Sequence, residues 1–242
     1  MEKSEQEDIV RMDDEIGFVE LMGVFGDDLT VVNAARVSLN KESTEFTDRD
    51  GNLIRYLASH DHLSPFFHPQ LRFRIKMPIF IAREWYRHTV GLSRNEVSRR
   101  YVDSPPQCWV PDASSLRQRS KSIKQGSKNE EVEQADIWAA RIQQHTEQSC
   151  ALYQELLNAH VAPEIARTVL PQSMYTEFIE TGSLYAYIRL IKLRMSPDAQ
   201  VEIQRYAMAI NRFLYQKFPR SYAAFFSRKR STFDTINWKI CL

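Results

Sequence analysis

One run of residues restricts the architecture more than any other. QLRFRIKM, at 70–77, alternates apolar Leu71, Phe73, Ile75 and Met77 with basic Arg72, Arg74 and Lys76. A period of two sends successive side chains to opposite faces, which predicts a strand with one face buried. Pro78 follows and suits the first turn of a helix, where a missing N–H costs nothing. IFIAREWYRH then continues with helical apolar spacing. On that helix Glu84 and His88 lie four apart and Arg87 three from Glu84, so the three heads share a face. Gly91 is expected to end it.

The flanking sequence extends this into an α+β reading, with strands mostly early and helices mostly late. IGFVELMGVF, at 16–25, reads as a strand, and DLTVVNAARVS, at 28–38, as a short helix begun by an acidic cap. Residues 103–131 are poor in apolar side chains and rich in Ser, Lys, Gln and Pro, the signature of a long mobile loop within one domain spanning 1–242. Sustained helical spacing follows through Ile137, Ala140, Ala151, Tyr153, Leu156 and Leu157. Further helices are expected at Pro163, after Ser183 in TGSLYAYIRLIKLR, and at Ser196-Pro197-Asp198, with Ser as cap and Pro at the first helical position.

Composition excludes several functions. The 32 basic and 31 acidic residues leave a formal charge of +1, so no global field marks a nucleic-acid partner, and any anion site must be local. The longest apolar run is Met77 to Ala82, so neither a signal peptide nor a membrane span is expected, and a cytoplasmic location is the default expectation. Cys108, Cys150 and Cys241 form no CxxC pattern, which suggests neither a disulfide framework nor a thiolate metal site. The seven glycines build neither GxGxxG nor GxxxxGK. A bound nucleotide would therefore be held by side chains.

Two stretches concentrate chemistry. HDHLSPFFH places His60 and His62 on one side of an extended segment, with His68 and His88 close in sequence. No acidic or cysteine cluster completes a coordination shell, so no metal is assigned, although the HxH pair keeps a metal reading open. YRHTVGLSRNEVSRRY, at 86–101, crowds together four arginines, a histidine, a glutamate, an asparagine and two serines. A solvated basic surface is one reading. The donor set also suits a phosphorylated, planar, polar ligand: Arg forks and Ser hydroxyls for phosphate, Asn and Glu for the edges of a base. Arg167 and Arg194 are two later cations that fit such a site. An arginine beside a base favours its ionised form, and Arg194 at a helix end also opposes the helix dipole.

In order and spacing, VVNAARVS, HDHLSPFFH, MPIFIAREWYRH, SRNEVSRRY, ARTVLP, TGSLYAYIRLIKLR and AQVEIQ resemble the flavin-dependent thymidylate synthases. The resemblance implies a central, mostly antiparallel sheet flanked by helices, in a homotetramer with active sites where subunits meet. It also implies methylation of dUMP to dTMP, with FAD as hydride carrier, methylenetetrahydrofolate as carbon donor and NADPH as reductant. By the same resemblance Ser38, His62, Ser64, Arg87, His88, Asn95 and Glu96 are FAD contacts. Glu84, Arg87, Glu96, Ser98, Arg99, Arg100 and Arg167 are dUMP contacts, with Ser98 and Arg100 near the phosphate. Arg194 matches the catalytic arginine that holds the uracil edge.

The chain departs from the family's commonest pattern in four places. Arg87-His88-Thr89 replaces an Arg-His-Arg signature, one extra residue lies before Ser93, and Glu84 stands where glutamine is usual. Ser183-Leu184-Tyr185 replaces Asn-x-Arg, with Arg189 where asparagine is common. Ser183, Tyr185 and Arg189 are therefore added to the FAD group, Tyr185 as a stacking face and Arg189 as a replacement cation. Two rival readings are an arginine-rich nucleic-acid or nucleotide-binding module without the chemistry, carried by Arg83, Arg87, Arg94, Arg99 and Arg100, and a metal-dependent hydrolase built on His60, His62 and His68.

Overall fold

The computed structural model describes residues 8–102, 104–119 and 127–226. In chain order the first half holds β1 (Ile9–Arg11), β2 (Phe18–Phe25), α1 (Asp28–Arg36), α2 (Asp48–Ser59), β3 (Gln70–Pro78), α3 (Ile79–Trp85) and β4 (Leu92–Glu96). The second half holds β5 (Arg117–Arg119), β6 (Ser127–Glu131), α4 (Ala135–Asn158), α5 (Pro163–Ala166) and β7 (Tyr175–Ser183). It closes with α6 (Leu184–Arg194), α7 (Val201–Lys217) and α8 (Pro219–Phe226). Five strands make one antiparallel sheet in the order β1-β2-β3-β7-β4, and the fold is α+β as expected.

β3 runs through the middle of this sheet, and its alternation is the reason. Leu71, Phe73, Ile75 and Met77 are wholly buried, while Arg72 and Arg74 face water on the other side. Phe73 meets Tyr187 of α6 edge-on at 5.1 Å and Phe213 of α7 at 5.7 Å, so the helices cover the apolar face. Truncating such a buried ring to Ala costs roughly 3–5 kcal/mol.

Several expectations need correction. The helix after β3 stops at Trp85, six residues before Gly91, and Pro78 is the last strand residue rather than a first-turn residue. Tyr86 ends it because its ring packs edge-on against Phe178 at 5.0 Å, and the next N–H groups bond only three residues back. Arg87 and His88 therefore sit in a turn and do not share a helix face with Glu84. Gly91, at φ +76°, instead shapes the entry to β4, where its carbonyl accepts from the Ser183 N–H at 3.2 Å.

One late strand, β7, lies between β3 and β4, and the other four strands of this sheet come early in the chain, as expected. The buried positions of β7 include Thr176, Phe178, Glu180 and Gly182, and two polar residues and a glycine among them hide the alternation. The helix assigned to Ser196-Pro197-Asp198 begins at Val201 instead. Residues 196–199 form a turn whose carbonyls at Ser196 and Ala199 are held by Gln204 Nε2 at 3.0 and 2.8 Å.

The 103–131 stretch includes the β5–β6 hairpin. Arg117 fastens it, donating to Ser127 Oγ at 2.9 Å and to Glu202 of α7 at 2.5 Å. Residues 107–109 run against the start of β7 through Tyr175 N–H to Gln107 and Trp109 N–H to Ser173. The remainder of the expected loop, residue 103 and residues 120–126, lies outside the described residues.

The acidic cap is Asp27, which accepts from the Thr30 N–H at 2.9 Å, and Ser183 caps α6 as its sequence suggests. α4 has the expected helical form, yet only Thr146 and Tyr153 are buried, leaving Ile137, Trp138, Ile142 and Leu152 exposed.

Candidate functional site

The last residue of α6, Arg194, reaches back to the end of α3. Its Nε donates to His88 Nε2 at 2.8 Å, Nη1 to the Glu84 carboxylate and Nη2 to the Glu84 carbonyl at 3.2 Å. Glu84 and His88 are thus brought together by a third residue 106 positions from His88 rather than by a helix face. Burial, with Arg194, Arg94 and Arg189 behind it, pushes the His88 pKa down to about 4. The imidazole is neutral at pH 7. Because Nε2 accepts from a guanidinium, the ring proton resides on Nδ1.

The second grouping is a cavity of about 400 Å³ where β4 runs out against β7. Glu96, Ser98, Arg99 and Arg167 line it together with Tyr175 and Thr176. Thr176 Oγ1 donates to Glu96 Oε1 at 2.5 Å and orients that carboxylate. Arg99 is steadied by the Ser104 carbonyl, and Ser98 Oγ accepts from the Arg100 N–H at 3.3 Å. Arg167, in the short turn after α5, has no carboxylate partner among the described residues. Two guanidinium groups and a hydroxyl around one hollow form a receptor for a doubly charged oxyanion. A carboxylate beside them can accept from a sugar hydroxyl.

A third grouping lies elsewhere. Ser38, in the turn following α1, and His62 line an open cavity of about 750 Å³ with Arg36, Lys41, Tyr56 and Leu57. The two cavities share no lining residue. Ser64, Arg87, Asn95, Arg100 and Arg189 are exposed at the surface. Ser183 is 2% exposed, and its hydroxyl accepts from the Ala186 N–H at 3.2 Å as the cap of α6. Tyr185 packs at a tilt against Phe67 at 5.3 Å and Phe225 at 5.7 Å.

His60 stacks on Tyr56 at 4.1 Å, and its Nδ1 lies 2.8 Å from Ser59 Oγ. Among the described residues no group of three or more His, Cys, Asp or Glu is placed to hold a metal ion. No helix among them is long and apolar enough to cross a membrane.

Sequence reasoning missed Glu180 and Trp85, and read Arg94 only as one of the clustered cations. Arg94 of β4 stands directly across from Glu180 of β7 and forms an ion pair with it in the interior. The available signal was the acid in YTEFIETGS, once that segment is read as a strand.

The family model described as Thymidylate synthase complementing protein (Thy1) matches residues 20–220. The chain is 38% identical over 212 residues to the flavin-dependent thymidylate synthase of Thermosipho africanus, covering 86% of this chain and 90% of that protein. It is 39% identical over 209 residues to the flavin-dependent thymidylate synthase of Thermus thermophilus, with 86% and 75% covered. Among solved structures, the UMP/dUMP methylase PolB from Streptomyces cacaoi bound with 5-Br dUMP superposes with a TM-score of 0.78 at 32% identity. That match covers 91% of this chain and 95% of PolB. PolB bound with 5-Br UMP gives 0.76.

Proposed function

The chain belongs to the flavin-dependent thymidylate synthase family, and from that premise we propose that it methylates dUMP to dTMP. FAD is the flavin in this reading, methylenetetrahydrofolate the carbon donor and NADPH the reductant. The observation that carries it is the hollow of about 400 Å³ where Ser98, Arg99 and Arg167 converge beside Glu96. It has the charge for a 5′-phosphate and an acceptor for the sugar, with Arg100 adjacent as a further cation.

Arg194 is the group assigned to the uracil. A guanidinium against the ring edge stabilises the ionised base, because an adjacent cation lowers an acid's pKa. Glu84 and neutral His88 hold that guanidinium in place, and no enzyme nucleophile is needed. The chain's contribution is orientation and electrostatics.

The residues around Ser38 and His62 fit a flavin. Tyr56 offers an aromatic face, Lys41 a cation for a diphosphate, and Ser38 and His62 hydrogen-bonding groups for polar edges. When bound, the flavin supplies the hydride that completes the methyl group. Ser64, Arg87, His88, Asn95 and Glu96 are assigned to the same cofactor, with Arg189 as an added cation. Ser183 and Tyr185 support that site through the α6 cap and the aromatic packing they build.

The assembly in this reading is a homotetramer with active sites between subunits. In its support, the flavin-type and phosphate-type residues lie in separate cavities of one chain, and α4 leaves Ile137, Trp138, Ile142 and Leu152 uncovered. A second copy can bring one group to the other while burying that apolar face.

The test is dTMP formation by purified protein reconstituted with FAD and supplied with dUMP, methylenetetrahydrofolate and NADPH, with UMP run in parallel. Product that depends on all four components is the expected result. A flavin-loaded protein that forms no dTMP would overturn the reading.

A further inference from the structure

Beneath the Arg194 cluster lies a charge pair that the proposed reaction does not use. Glu180 is 0% exposed, and on β7 it shares the inward face with Phe178. Its carboxylate pairs with Arg94 Nε across the strands and accepts from Trp85 Nε1 at 3.3 Å to each oxygen. Taking two charges out of water is costly, and well-packed apolar residues of similar volume serve a core as well or better. Packing alone therefore gives no reason for the pair.

Arg94 has a second engagement that does. Its Nη2 donates to the His88 carbonyl at 2.5 Å, and its guanidinium lies 5.3 Å from the centre of the Tyr86 ring. The carbonyl belongs to the turn between α3 and β4, and the imidazole of the same residue accepts from Arg194. A continuous chain of contacts thus runs from the Glu180 carboxylate through the Arg94 fork to the His88 backbone and on to Arg194. The fork matters: a guanidinium can bind a carboxylate and a carbonyl with separate N–H groups in fixed geometry, whereas an ammonium offers one compact charge.

We propose that Glu180 and Arg94 are positioning residues, which lock the turn at His88 so that its ring holds Arg194 in the orientation the site requires. The proposal rests on the methylation reading only for the reaction that Arg194 serves.

The charged groups facing His88 are Glu84 from α3, Arg94 from β4 with Glu180 of β7 behind it, and Arg189 and Arg194 from α6. Two variants separate positioning from packing. Arg94→Met/Glu180→Leu removes both charges at similar volume and is expected to fold with an unchanged or higher melting temperature. Its kcat is expected to fall about tenfold, the scale of one lost charge-assisted hydrogen bond, with KM for dUMP within about threefold. By NMR, His88 should titrate above its native value of about 4, because one of its three neighbouring cations is gone. Arg94→Lys keeps a cation beside Glu180 but loses the fork, and is expected to lower kcat to a similar extent at native stability.

A folded double variant with native kcat would overturn the proposal. Should the double variant fail to fold, Arg94→Lys decides: native kcat overturns the proposal, and a tenfold loss with an unchanged melting curve supports it. Wild-type protein that makes no dTMP would sink the methylation reading, while the nitrogen-15 shift of His88 Nε2, which reports its hydrogen bond from Arg194, would still decide the role of the pair: a native shift in Arg94→Lys overturns it.

Discussion

Two regions of the molecule hold much of the site's charge and use it in opposite ways. Around Ser98, Arg99 and Arg167 the cations are directed at an open hollow, and Arg167 has no carboxylate partner among the described residues. Around Arg194 the guanidinium is already engaged on all three nitrogens by Glu84 and His88, and the supporting Arg94 is consumed by Glu180 and a carbonyl. The first region is a receptor whose electrostatics are unsatisfied until an anion arrives. The second is preassembled, and a ligand must displace or share contacts that exist without it. Affinity is expected to come from the first and rate from the second.

Five outcomes would break or sharpen that contrast. Arg194→Ala is expected to lower dTMP formation by about a hundredfold or more while retaining the native melting curve, since the role proposed for it is to polarise substrate rather than to fill the core. Wild-type turnover in that variant would dissolve the distinction. Arg167→Ala is expected to weaken dUMP binding by about tenfold, measured by calorimetry, with FAD affinity unchanged. Arg100→Ala, exposed beside the hollow, should follow the same pattern more weakly. Equal losses of dUMP and FAD would mean that the two cavities are assigned to the wrong ligands.

Glu84→Gln removes the countercharge from Arg194 but keeps an oxygen to accept from it. The pH at which activity rises should then move downward, with dUMP bound a few-fold more tightly, the scale of a partly exposed ion pair. Unchanged pH dependence would show that Glu84 does not moderate Arg194.

The smallest expected effect is on stability. The folded His88 pKa of about 4 lies below its ordinary value of 6.5. As pH falls through 6.5 the unfolded chain takes up a proton that the folded chain refuses, so stability declines between pH 6.5 and about 4. In His88→Gln that part of the slope should vanish from denaturant titrations at successive pH values.

The contrast also explains what could be read from the residues. The open region was legible because Glu96, Ser98 and Arg99 crowd into SRNEVSRRY, and such a local cluster keeps its chemistry whatever strand register it adopts. β3 was legible because its apolar and basic residues alternate without exception. The paired region was not legible as a network: Arg94 and Glu180 are 86 positions apart, and only the β4–β7 register brings them together. The Glu180 that anchors this network also interrupts the apolar pattern that would have announced β7. The end of α3 was misplaced because nothing at 86–88 breaks a helix locally, and the stop comes from Tyr86 packing on Phe178, a residue far along the chain. Likewise the Ser-, Lys- and Gln-rich stretch after β4 gains its hairpin through Arg117 and its tertiary partner Glu202.

The division of labour between the two regions is tested most directly by a crystal structure of the FAD-loaded protein with dUMP. The account predicts the phosphate among Ser98, Arg99 and Arg167, and the uracil edge against an Arg194 guanidinium still held by His88. A phosphate bound at Arg194, or a dUMP that leaves the Arg167 hollow empty, would contradict it.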